Sequence, residues 1–260
     1  MKRNWLGIFA VSLTTAICAC TSDENNNFYR IQSSELHQFV LGDENRFAVE
    51  LSNLGSINSS TTQATAYHSV TQINANSANT LASPVNGFAL NYELIPGNPP
   101  KPIDLIFQQD EQHNFYLFGY QFSNSNKALW LHKNNQYGRL ILSSPLDNSL
   151  AINEVITLQY CDASLCQDVG NTSLLITPEG IDTQDTLAGK FETYVFSFEI
   201  DLSISDFGLI PESEVPPNIN GRFWIYPQVG IVKYIENRTT ANLTNTWQMI
   251  GVLDSSSIKF

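Results

Sequence analysis

The alternation of aromatic and other apolar residues with a period of two is the sequence feature that most constrains the fold. Residues 115–122 read FYLFGYQF, and a strand over this segment would carry four aromatic side chains on one face: Tyr116, Phe118, Tyr120 and Phe122. Residues 190–202 repeat the pattern and would align three more: Tyr194, Phe196 and Phe198. Successive side chains of a β-strand point to opposite faces, so this period predicts strands and argues against helices.

Further segments with strand character recur along the chain, separated by clusters of turn-forming residues. The segments are 128–131, 139–142, 151–160, 174–176, 222–226, 231–236 and 246–253. The turn clusters are 123–126, 133–136, 145–148 and 178–180. Short strands at such regular spacing predict an all-β fold, either an antiparallel sandwich, a half-barrel or a barrel. Little helix is expected beyond the N-terminal segment, and the one helix candidate, 34–40, is equally compatible with a strand.

The composition supports a folded domain with a substantial core. Hydrophobic residues make up 42% of the chain and aromatic residues 11%. A chain of this length suits one large all-β domain, so we assign 28–260 to a single β-rich domain. Asn, Ser, Thr and Ala dominate 52–83, which makes 28–90 a less regular part of that domain or a small subdomain.

The N-terminal segment has the pattern of an export signal. A cationic start is followed by an apolar run from Trp5 to Ala19, and no acidic residue occurs before Asp23. The run is shorter than the roughly 20 apolar residues that span a bilayer, so 1–19 is predicted to be a signal peptide. The polar stretch 20–27 is predicted to be a flexible tether, because it cannot bury enough surface to fold.

The end of this run, Ile17-Cys18-Ala19-Cys20, resembles a lipobox, in which a small residue directly precedes a lipidated cysteine. The resemblance implies diacylglycerol on the Cys20 sulfur, cleavage before Cys20, and acylation of the new amine, for example by palmitate. Each buried methylene contributes about 0.8 kcal/mol, so these acyl chains would hold the protein on a membrane. Thr21 stands where an Asp retains lipoproteins at the inner membrane, which points to the outer membrane of a bacterial cell envelope. Whether the domain faces the periplasm or the cell surface stays open.

Loss of the signal would leave a strongly acidic chain. Residues 1–19 hold Lys2 and Arg3 and no acid, so 13 basic and 25 acidic side chains become 11 and 25, a formal net charge of −14. Phosphate binding needs clustered Lys and Arg, and the sequence has no such cluster. Nucleic-acid binding is therefore excluded.

Two cysteines remain for the folded domain, Cys161 and Cys166. Outside the cytoplasm such a pair usually oxidises. A metal site would need further ligands at similar spacing, and a redox site more often has two intervening residues. We predict a structural disulfide that pins a hairpin tip. By the chain-entropy estimate, so small a loop stabilises the fold by about 2 kcal/mol at most.

Two motifs in the C-terminal third resemble a pair found in uncharacterised exported bacterial lipoproteins. They are AGKFETY at 188–194 and WIYPQVGIVKY at 224–234, and the resemblance covers roughly residues 140–253. It implies a tight turn into one strand and a later hairpin, in which Gly230 would allow a positive φ before the return strand. Gln228 stands where such proteins often have glycine. The family supplies no catalytic residues.

The sequence gives no sign of a metal or cofactor site. Its four histidines show no metal-ligand spacing: His37, His68, His113 and His132. Two of them, His113 and His132, flank what could be one hairpin, but ordinary surface histidines are the expectation. The nucleophile, zinc-protease and phosphate-loop motifs of enzymes are also missing, so no catalytic residue is assigned.

Three pairs of acidic residues leave one enzymatic alternative open. The pairs are Asp110 with Glu111, Asp201 with Asp206, and Glu212 with Glu214. Solvated acidic surface is the ordinary interpretation, because a glycosidase needs two carboxyls that face each other across a cleft. The alternative function is a secreted envelope hydrolase that uses such a pair.

The aromatic faces favour a different function. The seven aromatic side chains on the two strands would suffice to line an apolar cavity in a curved sheet, and equally to fill an ordinary core. We interpret the chain as a non-enzymatic, lipid-anchored envelope protein whose β domain is structural or binds a partner. That partner would be an envelope protein or a small apolar molecule held among the aromatic residues.

Overall fold

The computed structural model describes residues 27–54, 61–73, 85–92, 103–122, 127–134, 136–162, 165–201, 218–239 and 246–259. Every regular element in these ranges is a strand, which confirms the all-β prediction. The strands are β1 Phe28–Tyr29, β2 Glu44–Asn53, β3 Thr61–Ile73, β4 Val85–Tyr92, β5 Ile103–Gln109, β6 Phe115–Phe122, β7 Ala128–Lys133, β8 Gln136–Tyr137, β9 Arg139–Leu142, β10 Ile152–Cys161, β11 Cys166–Thr186, β12 Gly189–Ile200, β13 Asn218–Tyr226, β14 Gly230–Thr239 and β15 Thr246–Ser256. Among these residues, no helix is long and apolar enough to cross a membrane.

The strands form a single sheet in the order β8-β7-β10-β11-β12-β13-β14-β15-β2-β3-β4-β5-β6-β9. All of these neighbours pair antiparallel, while β1 adds a short parallel ladder to β12. Strands β6 and β7 lie near opposite ends of this order and also pair with each other, so the sheet curves back on itself. Strand β2, from the region expected to be less regular, pairs with β15 and β3 and so belongs to the same sheet.

Two clusters of buried apolar side chains lie on different faces of the sheet. We call the larger one the main cluster; it includes Phe47, Leu117, Tyr120, Leu129, Leu174 and Phe223. The second cluster consists of Ile106, Phe118, Ala128, Trp130 and Cys161, with Tyr116, Tyr137 and Cys166 packed against it. Strand β6 supplies residues to both clusters, because its two faces are both covered.

A β-bulge in β6 breaks the alternation that its sequence predicts. The register with β5 shifts at this point: Phe107 pairs with Leu117 and Ile106 with Gly119, which leaves Phe118 as the extra residue. Tyr120 therefore packs in the main cluster, while Tyr116 and Phe118 pack in the second. The prediction that these aromatic residues share one face is wrong, because one inserted residue reverses every side chain beyond it.

A second bulge interrupts β11, where the sequence suggests a turn at 178–180. Pro178 pairs with Phe196 and Gly180 with Val195, so Glu179 is the additional residue. Gly180 adopts a φ of +108°, which glycine accommodates without a steric penalty. The chain therefore continues across this segment as one strand of 21 residues.

Residues 30–43, which we call the strap, form neither the helix nor the strand considered for 34–40. Their backbone groups bind partners elsewhere in the fold. The Leu36 amide donates to Ser144 Oγ (3.0 Å) and the His37 amide to the Pro227 carbonyl (2.7 Å). These long-range bonds replace the local ladder of a helix, and the strap crosses the end of the sheet as an irregular segment.

The C-terminal hairpin has the predicted geometry. Strand β13 ends at Tyr226 and β14 begins at Gly230, whose φ is +88°. The turn is closed by a bond from the Val229 amide to the Tyr226 carbonyl at 3.0 Å. A Cβ on Gly230 would lie 2.7 Å from the ring of Phe39, so the glycine also lets the strap approach the hairpin closely.

Candidate functional site

The main cluster encloses an apolar cavity of about 120 Å³ between the strap and strands β11 to β14. Aliphatic and aromatic side chains form most of its lining, including Leu174, Ile176, Phe198, Ile219, Phe223 and Ile225. Strands β6 and β9 close the opposite side with Phe115, Leu117, Ile141 and Leu142. These side chains project from one face of paired strands, so the pairing of the strands fixes the shape of the cavity.

The strap covers one end of the cavity. Leu36 and Phe39 project into the lining, and the Phe39 ring meets Phe115 edge to face at 5.5 Å between ring centroids. The tip of the strap, by contrast, exposes Val40 and Leu41. Asp43 lies directly after this tip and is also part of the lining. The strap end of the cavity therefore adjoins solvent-exposed residues.

One side chain, Gln109, holds the strap in place. Its Oε1 accepts a hydrogen bond from the Phe39 amide (3.0 Å), and its Nε2 donates to the carbonyls of His37 (2.8 Å) and His113 (3.0 Å). His113 adds a contact of 3.1 Å between its Nδ1 and the Leu36 carbonyl. These side-chain hydrogen bonds add to the backbone bonds that His37 and Ser34 make with Pro227 and Leu146, and none of them belongs to a sheet ladder.

A buried ion pair lies at the far end of the cavity. Glu236 belongs to the lining and is only 3% exposed, and it forms an ion pair with Arg238, which is 2% exposed. The two residues lie two positions apart on β14 and therefore on the same face of the strand. Their alternation with buried Val232 and Tyr234 is visible in the sequence. This inward-facing pair is the signal that the sequence interpretation missed.

Tyr120 lies beside this ion pair and is completely buried. Burial raises the pKa of its hydroxyl, the Glu236 carboxylate raises it further, and Arg238 opposes the rise. Among the described residues, the Tyr120 hydroxyl has no hydrogen-bond partner. An ion pair and a neutral hydroxyl therefore lie together in the buried region beside the far end of the cavity.

Of the seven aromatic residues predicted to line a cavity, Phe198 does so. Tyr120 and Phe196 are buried in the main cluster and Tyr194 packs against it, but none of the three belongs to this lining. Tyr116 and Phe118 lie in the second cluster, on the other face of β6. The side chain of Phe122 lies outside the described residues.

The cysteines of the domain form the predicted disulfide. Cys161 and Cys166 are joined across the β10–β11 hairpin, with sulfurs 2.06 Å apart. The bond adjoins the second cluster, in which Cys161 is buried. Cys20 lies outside the described residues.

His113 and His132 make separate contacts. His113 binds the strap, while His132 Nε2 lies 3.0 Å from Asp168 Oδ1, beside the second cluster. His37 contacts Asp43 at 3.3 Å, and the side chain of His68 lies outside the described residues. Within the part of the chain that the structure describes, no three His, Cys, Asp or Glu side chains are placed to hold a metal ion.

The Asp110 and Glu111 pair has a structural explanation. The Asp110 carboxylate accepts four hydrogen bonds, from the amides of Gln112 and Asn114, the Asn114 side chain and the Tyr116 hydroxyl. These bonds hold the 110–114 turn. Burial of Asp110 raises the pKa of its carboxyl, but the hydrogen bonds together outweigh it and the pKa lies below its ordinary value. Of the other predicted carboxylates, Asp201 is described, and Asp206, Glu212 and Glu214 lie outside the described residues.

A polar groove of about 430 Å³ follows the outer face of β11 to β14. Four of its polar side chains form two pairs. Arg222 Nε lies 2.9 Å from Glu179 Oε2, and Asn237 donates to Asn220 at 3.0 Å. Such mutual pairing is the ordinary state of a solvated sheet face.

Comparisons with known proteins give distant structural similarity. No protein-family model matches the sequence, and no curated protein is significantly similar to it. The chain is similar to the hypothetical lipoprotein YmcC of Escherichia coli, with 9% identity, 84% of this chain and 92% of that one covered, and a TM-score of 0.36. A lipoprotein candidate from Parabacteroides distasonis shows 11% identity, coverage of 86% and 98%, and a TM-score of 0.36. An exported-protein candidate with a YmcC-like fold from Bacteroides fragilis shows 11% identity, coverage of 86% and 99%, and a TM-score of 0.37. Similarity at this level transfers neither family membership nor function to this chain.

Proposed function

We propose that the chain is a bacterial envelope lipoprotein, anchored by acyl chains on Cys20, whose β domain holds a small apolar ligand. The observation that carries the binding function is the cavity in the main cluster. Packed protein interiors contain few voids larger than a water molecule. A cavity of about 120 Å³ lined almost entirely by apolar side chains is therefore a site for an apolar group.

The size of the cavity limits the ligand. An engineered apolar cavity of about 150 Å³ stays dry and binds benzene, whereas sites for drug-sized molecules occupy roughly 300 to 1,000 Å³. The present cavity matches the smaller class. It takes a short hydrocarbon or one segment of a longer chain.

The position of the strap connects the cavity to the anchor. The strap follows β1 directly, and β1 is the first described strand after the stretch that begins at Cys20. Since 20–27 is at most about 28 Å long when fully extended, the strap side of the domain would stay near the membrane. A ligand that leaves the bilayer would then meet the covered end of the cavity first.

The ligand can be detected as co-purified mass on the full chain carrying Cys20→Ser, which removes the anchor lipid. Native mass spectrometry should show an apolar adduct that disappears on denaturation. Ile176→Phe, which places a larger side chain in the lining, should abolish the adduct. Val155→Phe introduces the same side chain on an exposed position of β10 and should leave the adduct unchanged. Adducts of equal abundance on all three proteins would refute binding in the cavity.

The anchor has its own test. Cells supplied with a labelled fatty acid should incorporate the label into the chain, and Cys20→Ser should abolish incorporation. Persistence of the label in this variant would exclude Cys20 as the lipid site.

The outer-membrane assignment is tested by fractionation. Thr21→Asp should move the protein to the inner-membrane fraction, and Thr21→Asn should not. Identical fractionation of both variants would count against that assignment.

A further inference from the structure

We propose that the ligand is a linear amphiphile whose apolar chain fills the cavity and whose polar end donates a hydrogen bond to Glu236. This inference rests on the proposed binding function and names the class of ligand. It combines the shape of the cavity with the polar groups at its far end.

The shape favours a chain over a ring. Along β14 the lining runs from Gly230 to Glu236, and six residues of a strand span about 20 Å. On β13 it runs from Ile219 to Ile225, the same distance. The lining is therefore elongated along both strands. An unbranched alkyl chain suits an elongated apolar lining.

The orientation follows from the two ends. At the strap end, Asp43 and Glu44 border the cavity and remain accessible to water. A polar group of the ligand would stay hydrated there, so it would gain little binding free energy. At the far end, Glu236 is buried, and a hydrogen bond in a low-dielectric interior is stronger than one in water. The polar end of an amphiphile therefore contributes most binding free energy when it lies beside Glu236.

The chemistry of that end follows from the lining. A carboxylate accepts hydrogen bonds and donates none, so the ligand must bring a donor such as a hydroxyl or ammonium group. Glu236 belongs to the lining and Arg238 does not, which disfavours a ligand carboxylate at this position. The fully buried Tyr120 hydroxyl adds a neutral polar group next to the pair.

Stability alone does not account for the Glu236–Arg238 pair. Each ion that is withdrawn from water costs several kcal/mol, and replacing buried ion pairs by apolar residues of similar volume is often neutral or stabilising. A carboxylate that is held in place by Arg238 at the end of an apolar cavity gives the site a fixed acceptor. Recognition of a donor explains why such a costly pair stands at this position.

The test compares four probes with six carbons each: hexylamine, 1-hexanol, hexane and hexanoate. Each is titrated into the full chain carrying Cys20→Ser, and binding is followed by NMR shifts of the methyl groups of Ile176 and Leu174. Hexylamine and 1-hexanol should bind about tenfold more tightly than hexane, because a hydrogen bond to a charged group contributes at least that factor. Hexanoate should bind most weakly.

Three variants make the result specific. The double variant Glu236→Met, Arg238→Leu should retain hexane binding and lose the preference for the donors. Glu236→Gln should lower the affinity for hexylamine about tenfold and serves if the double variant fails to fold. Glu199→Gln, on the exposed face of β12, is the matched control and should leave all four affinities unchanged.

Equal affinities for all four probes, or a donor preference that survives both Glu236 changes, would overturn the inference while leaving the proposed function intact. Failure of every probe to bind the parent chain would overturn both.

Discussion

The main cluster and the second cluster share strand β6 but differ in what their apolar side chains accomplish. In the main cluster, Leu117 lines a cavity and Tyr120 lies beside a buried ion pair. On the other face, Phe118 packs with Trp130 beside the Cys161–Cys166 disulfide. We infer from the comparison that the second cluster mainly stabilises the sheet, whereas the main cluster also encloses a cavity.

The largest effect is expected from Trp130→Ala in the second cluster. Trp130 is 1% exposed, and truncating so large a buried side chain removes about 3 to 5 kcal/mol from the free energy of unfolding. Chemical denaturation measures the loss, with Val155→Ala on the exposed face as control. A loss below about 1 kcal/mol would show that the second cluster is not a stabilising core.

The bulge that separates the two clusters gives the next prediction. A Cβ on Gly119 would lie 2.0 Å from the Leu129 carbonyl oxygen, so Gly119→Ala must displace the β6–β7 ladder. We expect a loss of about 3 kcal/mol, the upper range for overpacking. Gly180→Ala is the matched control, because its Cβ would meet nothing within 4 Å and only the positive φ is unfavourable. Equal losses in the two variants would contradict the close approach at Gly119.

The disulfide should stabilise the protein without affecting the cavity. The double variant Cys161→Ser, Cys166→Ser should lower the free energy of unfolding by about 2 kcal/mol, the chain-entropy value for a small loop. The affinity for hexylamine should stay the same, since the bond adjoins the second cluster. A parallel loss of affinity would mean that the two clusters are coupled, against the comparison drawn above.

Release of the strap should change kinetics more than stability. Gln109→Leu removes three hydrogen bonds to the strap and its turn, so we expect about 1 kcal/mol of destabilisation and faster ligand exchange. Line shapes in NMR titrations report the exchange rate. Gln112→Leu, on an exposed position of the same turn, should alter neither quantity. Unchanged exchange in Gln109→Leu would show that the ligand enters by another route.

The smallest effect is a pH dependence from Asp110. Its folded-state pKa is lowered, so its contribution to stability is complete above the ordinary carboxyl range and is lost as pH falls through the folded pKa. The parent protein should therefore lose more stability on acidification from about pH 5 than Asp110→Asn does. Glu111→Gln, which removes the exposed neighbour, should follow the parent curve. If the free energy of unfolding varied with pH in the same way for the parent and both variants, protonation of Asp110 would not contribute to the loss of stability in acid.

The sequence predicts much of the sheet, because strand periodicity is a local property. Alternation places β6 and β12 correctly, and Gly230 marks the hairpin turn as expected. The bulge at Phe118 was missed, although a glycine at 119 inside a strand pattern is its usual signal. Leu36, Phe39 and Val40 have the spacing of a helix face, yet the strap forms no helix because its amides bind Gln109 and other distant groups.

The cavity itself could not be predicted from sequence. Whether apolar side chains fill a core or leave a void depends on how distant strands pack. The sequence pattern at Phe198 and Ile176 is the same for a filled core and for a cavity. Glu236 and Arg238 were within reach of prediction, since both fall on the inward positions of an alternating strand. Charged residues at such positions are a stronger guide to a buried site than the aromatic residues around them.

A titration of 1-hexanol into the full chain carrying Cys20→Ser, followed by calorimetry, tests the central claim that the main cluster contains a ligand site. The parent protein should bind one molecule per chain. Ile176→Phe should abolish the heat of binding, while Val155→Phe should retain it. Identical heats for all three proteins, or no heat with the parent, would contradict the claim.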